Sequence, residues 1–332
     1  MSVRESLIKH LTSILRSSSG TLLVTLCDYN GLSIAKIGRK TDLDLNPNQI
    51  TSLSSAAFSA SAENWEDLQI KDQVTSFIYF DEVCLITIRI NETLLTIVHD
   101  YHIEWPLNAD NIASAMYYLK EKLSEFFGNK IANEQQLQEF SNNIRSAIYL
   151  FSMGSDVSFA SYAPEDKREQ NVLPYISNIL DSIENPIFYR YSLVNPSGLT
   201  LDAREVSENS FPITIEAFSA NANVAFQKMK DESEGSPLGE VLCYIAISGQ
   251  DPENYFGIIT CPSGKLKFSK IERTSNIEDL SFAGLFTLAY GGVPVMGETR
   301  NLVHSILEIV GSDKITENFI EAVNILTSQK YE

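Results

Sequence analysis

The feature that most constrains the fold of this chain is a sequence unit that occurs twice. A segment rich in small residues, 54–62, recurs at 216–222, and the phenylalanines within them, Phe58 and Phe218, are 160 residues apart. Each segment follows an apolar run, a turn and a Gly-Leu pair, at 31–32 in the first copy and 198–199 in the second. A repeat of this length indicates a duplicated domain and not a solenoid, whose units are shorter.

The first copy has the pattern of an α+β domain. Val3, Leu7 and Leu11 recur at helical spacing and predict an opening amphipathic helix. The turn at residues 28–31 suits a hairpin, because its Asn and Gly tolerate a positive φ. We predict strands at residues 22–27, 32–37, 74–80, 83–90 and 93–99, a central helix at 49–65, and a closing helix through Ile112, Met116, Leu119 and Leu123.

The second copy repeats this order of elements. Its opening helix is predicted from the spacing of Val172, Ile176 and Ile179, and its central helix covers residues 212–230. Strands are predicted at residues 187–194, 199–204, 241–248, 255–261 and 265–271. The two copies differ in the loops around the central helix, which is where one fold tolerates changes of length.

A length of 332 residues is enough for two domains, each with its own core. Leu137, Phe140 and Ile144 form the apolar stripe of a helix in the connector between them. The uncharged run at 280–297 is interrupted by glycines and Pro294, so we expect a buried, partly irregular segment and not a membrane span. The predicted bounds are 1–128 for the first domain, 129–170 for the connector, 171–310 for the second domain and 311–332 for a C-terminal helix.

The net charge of −18 limits the partners of the chain. Non-specific binding of nucleic acid needs a basic surface, and anionic lipid attracts basic segments, so we expect neither a nucleic-acid partner nor direct insertion into a membrane. The N-terminus lacks the features of a signal peptide and of a myristoylation site. The four cysteines lie in apolar runs without a C-x-x-C pair, so we expect a cytoplasmic protein with buried, reduced thiols.

The order of helix, strand, turn, Gly-Leu, strand, small-residue helix and three-stranded meander resembles the roadblock dynein-light-chain domain of the roadblock/longin superfamily. The closest part is residues 22–62, where Asp28-Tyr29-Asn30-Gly31-Leu32 is similar to the D-x-x-G-L hairpin of that family. The resemblance covers residues 3–127 and, less closely, 171–275, where the corresponding turn lacks the Asp. The chain therefore resembles a tandem roadblock protein.

This resemblance implies two tandem roadblock-like domains, each an antiparallel five-stranded sheet with flanking helices, which pair through the central helix and the neighbouring strand. Small side chains let two helices approach closely. The alternative is that these small residues pack against their own sheet. Pairing within the chain would give a pseudo-two-fold unit, and pairing between chains is the other arrangement. The candidate pairing residues are Ala56, Ser59, Ala60, Ala217, Ser219 and Ala220.

No motif for catalysis or cofactor binding is found in the sequence. The glycines before Lys265 have the wrong spacing for a phosphate-binding loop, and no G-x-S-x-G elbow occurs. His99 and His102 have no nearby cysteine that would complete a metal site. We therefore expect no enzyme activity, no cofactor and no metal. Arg39 and Arg204 lie at the second strand of each copy and are candidate contacts to a GTPase, in the manner of an arginine finger; ordinary exposed surface is the alternative.

Members of the resembled family serve as scaffolds and regulators of Ras-like small GTPases, or as light chains of motor complexes. The leading hypothesis is therefore a non-catalytic scaffold that binds a Ras-like small GTPase through paired roadblock domains. A second hypothesis is a structural subunit of a trafficking or motor-type assembly, with other roadblock or longin chains as partners. A third is a small-molecule sensor, unless the aromatics that would line its pocket are core residues: Phe77, Tyr79, Tyr244, Tyr255 and Phe256.

Overall fold

A computed structural model describes the fold over residues 3–68, 72–80, 82–102, 107–130, 132–151, 188–194, 198, 200–205, 214–248, 254–262 and 281–289. The helices are α1 Val3–Leu15, α2 Pro47–Leu68, α3 Ala109–Phe127, α4 Glu134–Phe151 and α5 Ile215–Ser233. The strands are β1 Thr21–Asp28, β2 Ser33–Gly38, β3 Gln73–Tyr79, β4 Cys84–Ile90, β5 Thr93–His99, β6 Phe188–Val194, β7 Thr200–Glu205, β8 Cys243–Ser248, β9 Asn254–Pro262 and β10 Ser281–Ala289. The predicted α+β class is confirmed.

The ten described strands form one antiparallel sheet in the order β2-β1-β5-β4-β3-β8-β9-β10-β6-β7. The first five strands of the chain make up one half of the sheet and the last five make up the other. Within the second half the order mirrors that of the first, with β8 in the position of β3 and β7 in that of β2. The sheet therefore has β3 and β8 at its centre and β2 and β7 at its two edges.

One face of the sheet is covered by α2 and α5. Ile78, Leu85 and Val98 lie beside one another on this face, because each is paired with the next across β3, β4 and β5. They belong to one buried cluster that also contains residues of the second half of the sheet and of both helices. The helix residues of that cluster are Ile50, Leu53, Ala57, Trp65, Phe218, Ala222, Phe226 and Met229. Burial of an apolar side chain of this size contributes about 1.5–3 kcal/mol, so the shared cluster ties the two halves together.

The other face of the first half is covered by α1, α3 and α4. Asn108 caps the N-terminus of α3 by accepting a hydrogen bond from the backbone N–H of Asn111, and Gly128 ends the helix in the left-handed conformation. The connector helix α4 packs on α3, where the Ser141 hydroxyl donates to the carbonyl of Ala113 at 2.8 Å. The Lys120 Nζ lies 4.0 Å from the centre of the Phe140 ring and adds a cation–π contact.

The turn between β1 and β2 explains the Asp and Gly of the D-x-x-G-L segment. One carboxylate oxygen of Asp28 accepts hydrogen bonds from the backbone N–H groups of Asn30 and Leu32, at 3.0 and 2.8 Å. Gly31 has a φ of +79°, and a Cβ atom at this position would lie 3.2 Å from the Cα of Ser52 in α2. Both the backbone angle and the close approach to the helix therefore require glycine here.

The last strand of the sheet differs from the sequence-based prediction. The strand between β9 and β6 is β10 at Ser281–Ala289, and the predicted strand at 265–271 lies outside the described residues. The first half of the uncharged run at 280–297 is thus a regular strand, and residues 290–297 lie outside the described residues. The predicted opening helix of the second copy, the C-terminal helix and the predicted boundaries at 170/171 and 310/311 also lie outside the described residues, so the domain bounds stay predictions.

Candidate functional site

The two halves of the molecule meet at a junction built from two strands and two helices. β3 and β8 pair antiparallel from Gln73 opposite Ser248 to Tyr79 opposite Cys243. The backbone N–H of Leu242 extends this pairing by donating to the carbonyl of Tyr79 at 2.8 Å. Above the two strands α2 packs beside α5. The edge strand of each half is thereby covered by the edge strand of the other, which removes two open sheet edges.

A buried polar contact fixes the register of this junction. The side-chain amide of Gln73 in β3 donates to the Tyr244 hydroxyl in β8 at 3.2 Å, and both side chains are about 99% buried. Burial raises the pKa of Tyr244 to about 12, while its polar neighbours Ser61, Gln73 and Ser76 act in the opposite direction. If the pairing of β3 and β8 shifted by one residue, the Gln73 amide and the Tyr244 hydroxyl would lose their hydrogen bond to each other. Leaving buried polar groups without a partner is unfavourable, so this contact opposes misalignment.

The candidate pairing residues of α2 lie in two different environments. Ala60 is 6% exposed, although it points about 200° around the helix from Phe58, which packs on the sheet against Cys27 and Leu94. Ala60 therefore lies off the sheet-facing side of α2, the helix beside which α5 packs. Ala56 and Ser59 are half-buried and lie toward the outer surface of the helix pair.

The candidate residues of α5 divide in a similar way. The Ser219 hydroxyl lies 2.6 Å from that of Ser192 in β6 and 2.6 Å from the carbonyl of Ile215. Ser219 thus packs on its own half of the sheet, which is the alternative that the sequence left open. Ala217 is exposed and Ala220 is half-buried, so both lie toward the outer surface.

The buried contacts agree with the alignment of the two copies. Phe58 lies in a buried cluster with Cys27 of β1, and Phe218 lies in the buried cluster that contains Val194 of β6. Cys27 and Val194 each precede the Gly-Leu pair of their copy by four residues, so the two strand positions correspond. The offset of 160 residues between Phe58 and Phe218 is therefore consistent with the packing of both helices on the sheet.

The outer surface of the two helices contains a group of small side chains. We define it as the helix-pair face, with Ser52, Ala56 and Ser59 of α2 and Ala217, Ala220 and Val224 of α5. Val224 is the most exposed apolar side chain among these, at 57%. Leu32 is 69% exposed on the neighbouring β1–β2 turn, which is held against α2 because the Ser55 hydroxyl donates to the carbonyl of Tyr29. Two exposed apolar side chains on this surface suit a protein contact.

The structure separates the two candidate arginines. Arg39 follows β2 and Arg204 lies in β7, so they sit at opposite edges of the sheet. Nine strand spacings of about 4.8 Å place these edges roughly 43 Å apart. The Arg39 guanidinium donates to the carbonyls of Leu15 and Ser18 at 2.8 and 3.0 Å, which satisfies the C-terminal end of α1. Arg39 thus has a structural contact, and the two arginines do not form one site.

Several buried groups are part of the core. Tyr79 is fully buried, and its ring meets that of Tyr101 edge-to-face with 5.5 Å between the ring centres. Phe77 is fully buried in the same strand. These two aromatic residues are therefore part of the core, which was the alternative to a ligand pocket. Burial raises the pKa of the Cys27 thiol to about 12, and Cys27, Cys84 and Cys243 are all buried and outside any disulfide. Across the described residues, no group of three or more His, Cys, Asp or Glu side chains could hold a metal ion.

Comparison with known proteins gives one kind of match. No protein-family model and no curated protein matches this chain. Among solved structures, gliding protein MglB from Thermus thermophilus is 15% identical and aligns over 38% of this chain and 90% of its own, with a TM-score of 0.32. A Roadblock/LC7 domain from Streptomyces avermitilis (14% identity, 36% and 97%, TM-score 0.31) and Myxococcus xanthus MglB (18%, 36% and 95%, 0.29) are also similar. In the part of the chain that the structure describes, no helix is long and apolar enough to cross a membrane.

Proposed function

We propose that this chain is a non-catalytic scaffold that binds a Ras-like small GTPase through the helix-pair face. The observation that carries the proposal is the junction, where β3 pairs with β8 and α2 packs beside α5. This is the mode of pairing that the sequence resemblance implies for roadblock domains. A single chain thereby presents the surface that two separate domains would otherwise have to assemble.

The chemistry of the helix-pair face supports a protein partner of substantial size. Its small side chains let the surface of a folded partner approach both helices closely. Val224 on α5 and Leu32 beside α2 are exposed apolar side chains that such a contact would bury. Burial at about 25 cal/mol per Å² makes each a useful anchor.

Binding to purified small GTPases tests this proposal. The immobilised chain should bind at least one member of a panel of Ras-like small GTPases, loaded either with GDP or with a non-hydrolysable GTP analogue, in biolayer interferometry. Val224→Glu should weaken that binding by about tenfold or more, because it buries a charge in the contact. The new Glu precedes Lys228 by four residues, an arrangement that supports the helix, so loss of binding would not reflect unfolding.

Phe126→Glu is the matched control, because Phe126 is also exposed, at 55%, but lies on α3. This variant should bind the GTPase with unchanged affinity. Absence of binding in both nucleotide states across the panel, or an equal loss for the two variants, would refute the proposed contact surface.

We also retain Arg39 and Arg204 as proposed GTPase contacts, with the restriction that their separation imposes. Because they sit at opposite edges of the sheet, one bound GTPase reaches at most one of them. Arg204→Ala should lower the affinity for a GTPase that binds near β7 and leave the affinity for a GTPase that binds near β2 unchanged.

A further inference from the structure

The strand β2 has an open hydrogen-bonding edge. It pairs with β1 on one side and is the terminal strand of the sheet among the described residues. In an antiparallel ladder, hydrogen-bonded residue pairs alternate with pairs that are not hydrogen-bonded. The backbone N–H of Arg39 donates to the carbonyl of Leu22, so these two residues form a hydrogen-bonded pair. Ile37 with Val24 and Ala35 with Leu26 are therefore also hydrogen-bonded pairs, in which the main-chain groups of β2 point toward β1. The N–H and C=O groups of Lys36 and Gly38, which alternate with these residues, point away from the sheet.

Basic side chains flank this edge in an otherwise acidic chain. Residues 3–40 contain six Lys or Arg and two Asp or Glu, a net charge of +4, whereas the whole chain carries −18. Lys36 lies on the α2 side of the sheet, because it pairs with Thr25, whose neighbours at alternate positions pack under α2. Arg39 and Arg16 lie on the α1 side, at the C-terminal end of that helix. We call β2 together with Arg16, Lys36, Arg39 and Lys40 the basic edge.

From this geometry we infer that the basic edge binds an acidic, extended segment of a partner protein as an additional strand. The main-chain groups of Lys36 and Gly38 supply the hydrogen bonds of an antiparallel or parallel ladder. The four basic side chains on the two sides of the strand attract alternating Asp or Glu residues of the incoming segment. β2 is six residues long, so the docking segment needs about five to seven residues. This site is separate from the helix-pair face and does not rest on the GTPase proposal.

The charge of the edge argues against two other occupants. A second copy that paired β2 to β2 would bring the two groups of basic residues together, and like charges opposite each other destabilise a sheet. Lysine on an edge strand also prevents unspecific pairing of this kind. The positive charge that repels the β2 strand of a second copy attracts an acidic strand. The basic edge can therefore resist self-association and still bind an acidic partner segment. Asp42 and Asp44, on the loop after the strand, limit the attractive region to β2 and the end of α1.

Titration of a labelled peptide into the intact chain tests this site. The probe is a fluorescent eight-residue peptide in which Glu alternates with Val and Thr, and binding is followed by fluorescence anisotropy. Lys36→Gln removes the charge but keeps the outward N–H, whereas Lys36→Pro removes both. Proline is tolerated on an edge strand where its missing N–H faces outward. We expect Lys36→Pro to bind about tenfold more weakly than Lys36→Gln, because one more main-chain hydrogen bond is lost.

Three controls decide the outcome. A probe with proline at its two central positions should not bind, Lys130→Gln should bind as tightly as the unmodified chain, and hydrogen exchange of residues 33–38 should slow when the probe is added. Lys130 is an exposed lysine beyond α3, away from β2. Failure of the probe to bind, equal affinity of the Gln and Pro variants at position 36, or binding of phosphatidylserine vesicles in preference to the peptide would each overturn the inference.

Discussion

His99 shows how one buried side chain couples the fold to pH. It ends β5, opposite Cys84 in β4 and Thr21 in β1, and its ring is 1% exposed. Burial lowers the pKa of His99 to about 4, against a hydrogen bond to the Gly20 backbone that acts in the other direction. The unfolded chain takes up the proton near pH 6.5, well before the folded chain does. The stability that the neutral His99 contributes is therefore fully present above pH 6.5 and is lost as the pH falls toward 4.

We predict that His99→Gln reduces this acid sensitivity. A pKa difference of about 2.5 units corresponds to roughly 3 kcal/mol of unfolding free energy between pH 7 and pH 4. Urea unfolding at pH 7, 6, 5 and 4 should show a smaller decrease for the variant than for the unmodified chain. His102→Gln, which removes an exposed imidazole, is the control and should follow the unmodified chain. Parallel pH curves for the unmodified chain and His99→Gln would contradict this account.

The residue scale is also where the sequence was least able to predict the site. The segments at 54–62 and 216–222 contain small residues on every side of the helix, so the residue types alone do not indicate which side packs on the sheet. Ala60 lies on the flank of α2, away from the sheet-facing Phe58, whereas Ser219 contacts β6, and this difference depends on the rotation of each helix. Packing of neighbouring elements sets that rotation, and a single sequence does not contain it.

At the scale of elements the junction of β3 and β8 makes a quantitative prediction. Tyr244→Phe removes the acceptor of the buried Gln73 amide and should lower the unfolding free energy by about 1–3 kcal/mol. Gln73→Leu should have a cost of similar size. The double variant should cost less than the sum, because neither polar group is then left without its partner. A double-mutant cycle by urea denaturation measures this coupling, and strictly additive effects would show that the contact does not stabilise the junction.

The elements of the first half were predicted closely from sequence, while the last strand of the sheet was not. β1 to β5 were predicted because apolar residues alternate or cluster between clear turns, as the predicted strand at 93–99 illustrates by matching β5. β10 at Ser281–Ala289 is an uncharged run without alternation. Without a period-two pattern, periodicity cannot distinguish a strand from other buried segments. In the segment at 265–271, by contrast, Leu266 and Phe268 alternate with polar residues, which is the pattern that predicts a strand.

At the scale of the whole molecule, the central pairing predicts a monomer. β3 and β8 pair with each other along the edges that each half of the sheet would otherwise leave open. The chain therefore does not need a second copy to complete this part of its sheet. Light scattering should give a mass of 37.1 kDa that stays constant over a hundredfold range of concentration. Ala246→Asp places a charge in the buried cluster under α2 and α5 and should weaken the junction. A mass that doubles with concentration for the unmodified chain would show that the halves pair between chains.

The order of strands in the sheet also has a consequence for synthesis on the ribosome. β3 ends at Tyr79, and its neighbour β8 begins at Cys243, 164 residues later. At translation rates of about 5–20 residues per second, β8 emerges roughly 8–33 seconds after β3. During that time the first half carries an apolar strand edge with no partner, and it is exposed to pairing with another nascent chain. The growing chain therefore needs protection by a chaperone for longer than its finished fold suggests.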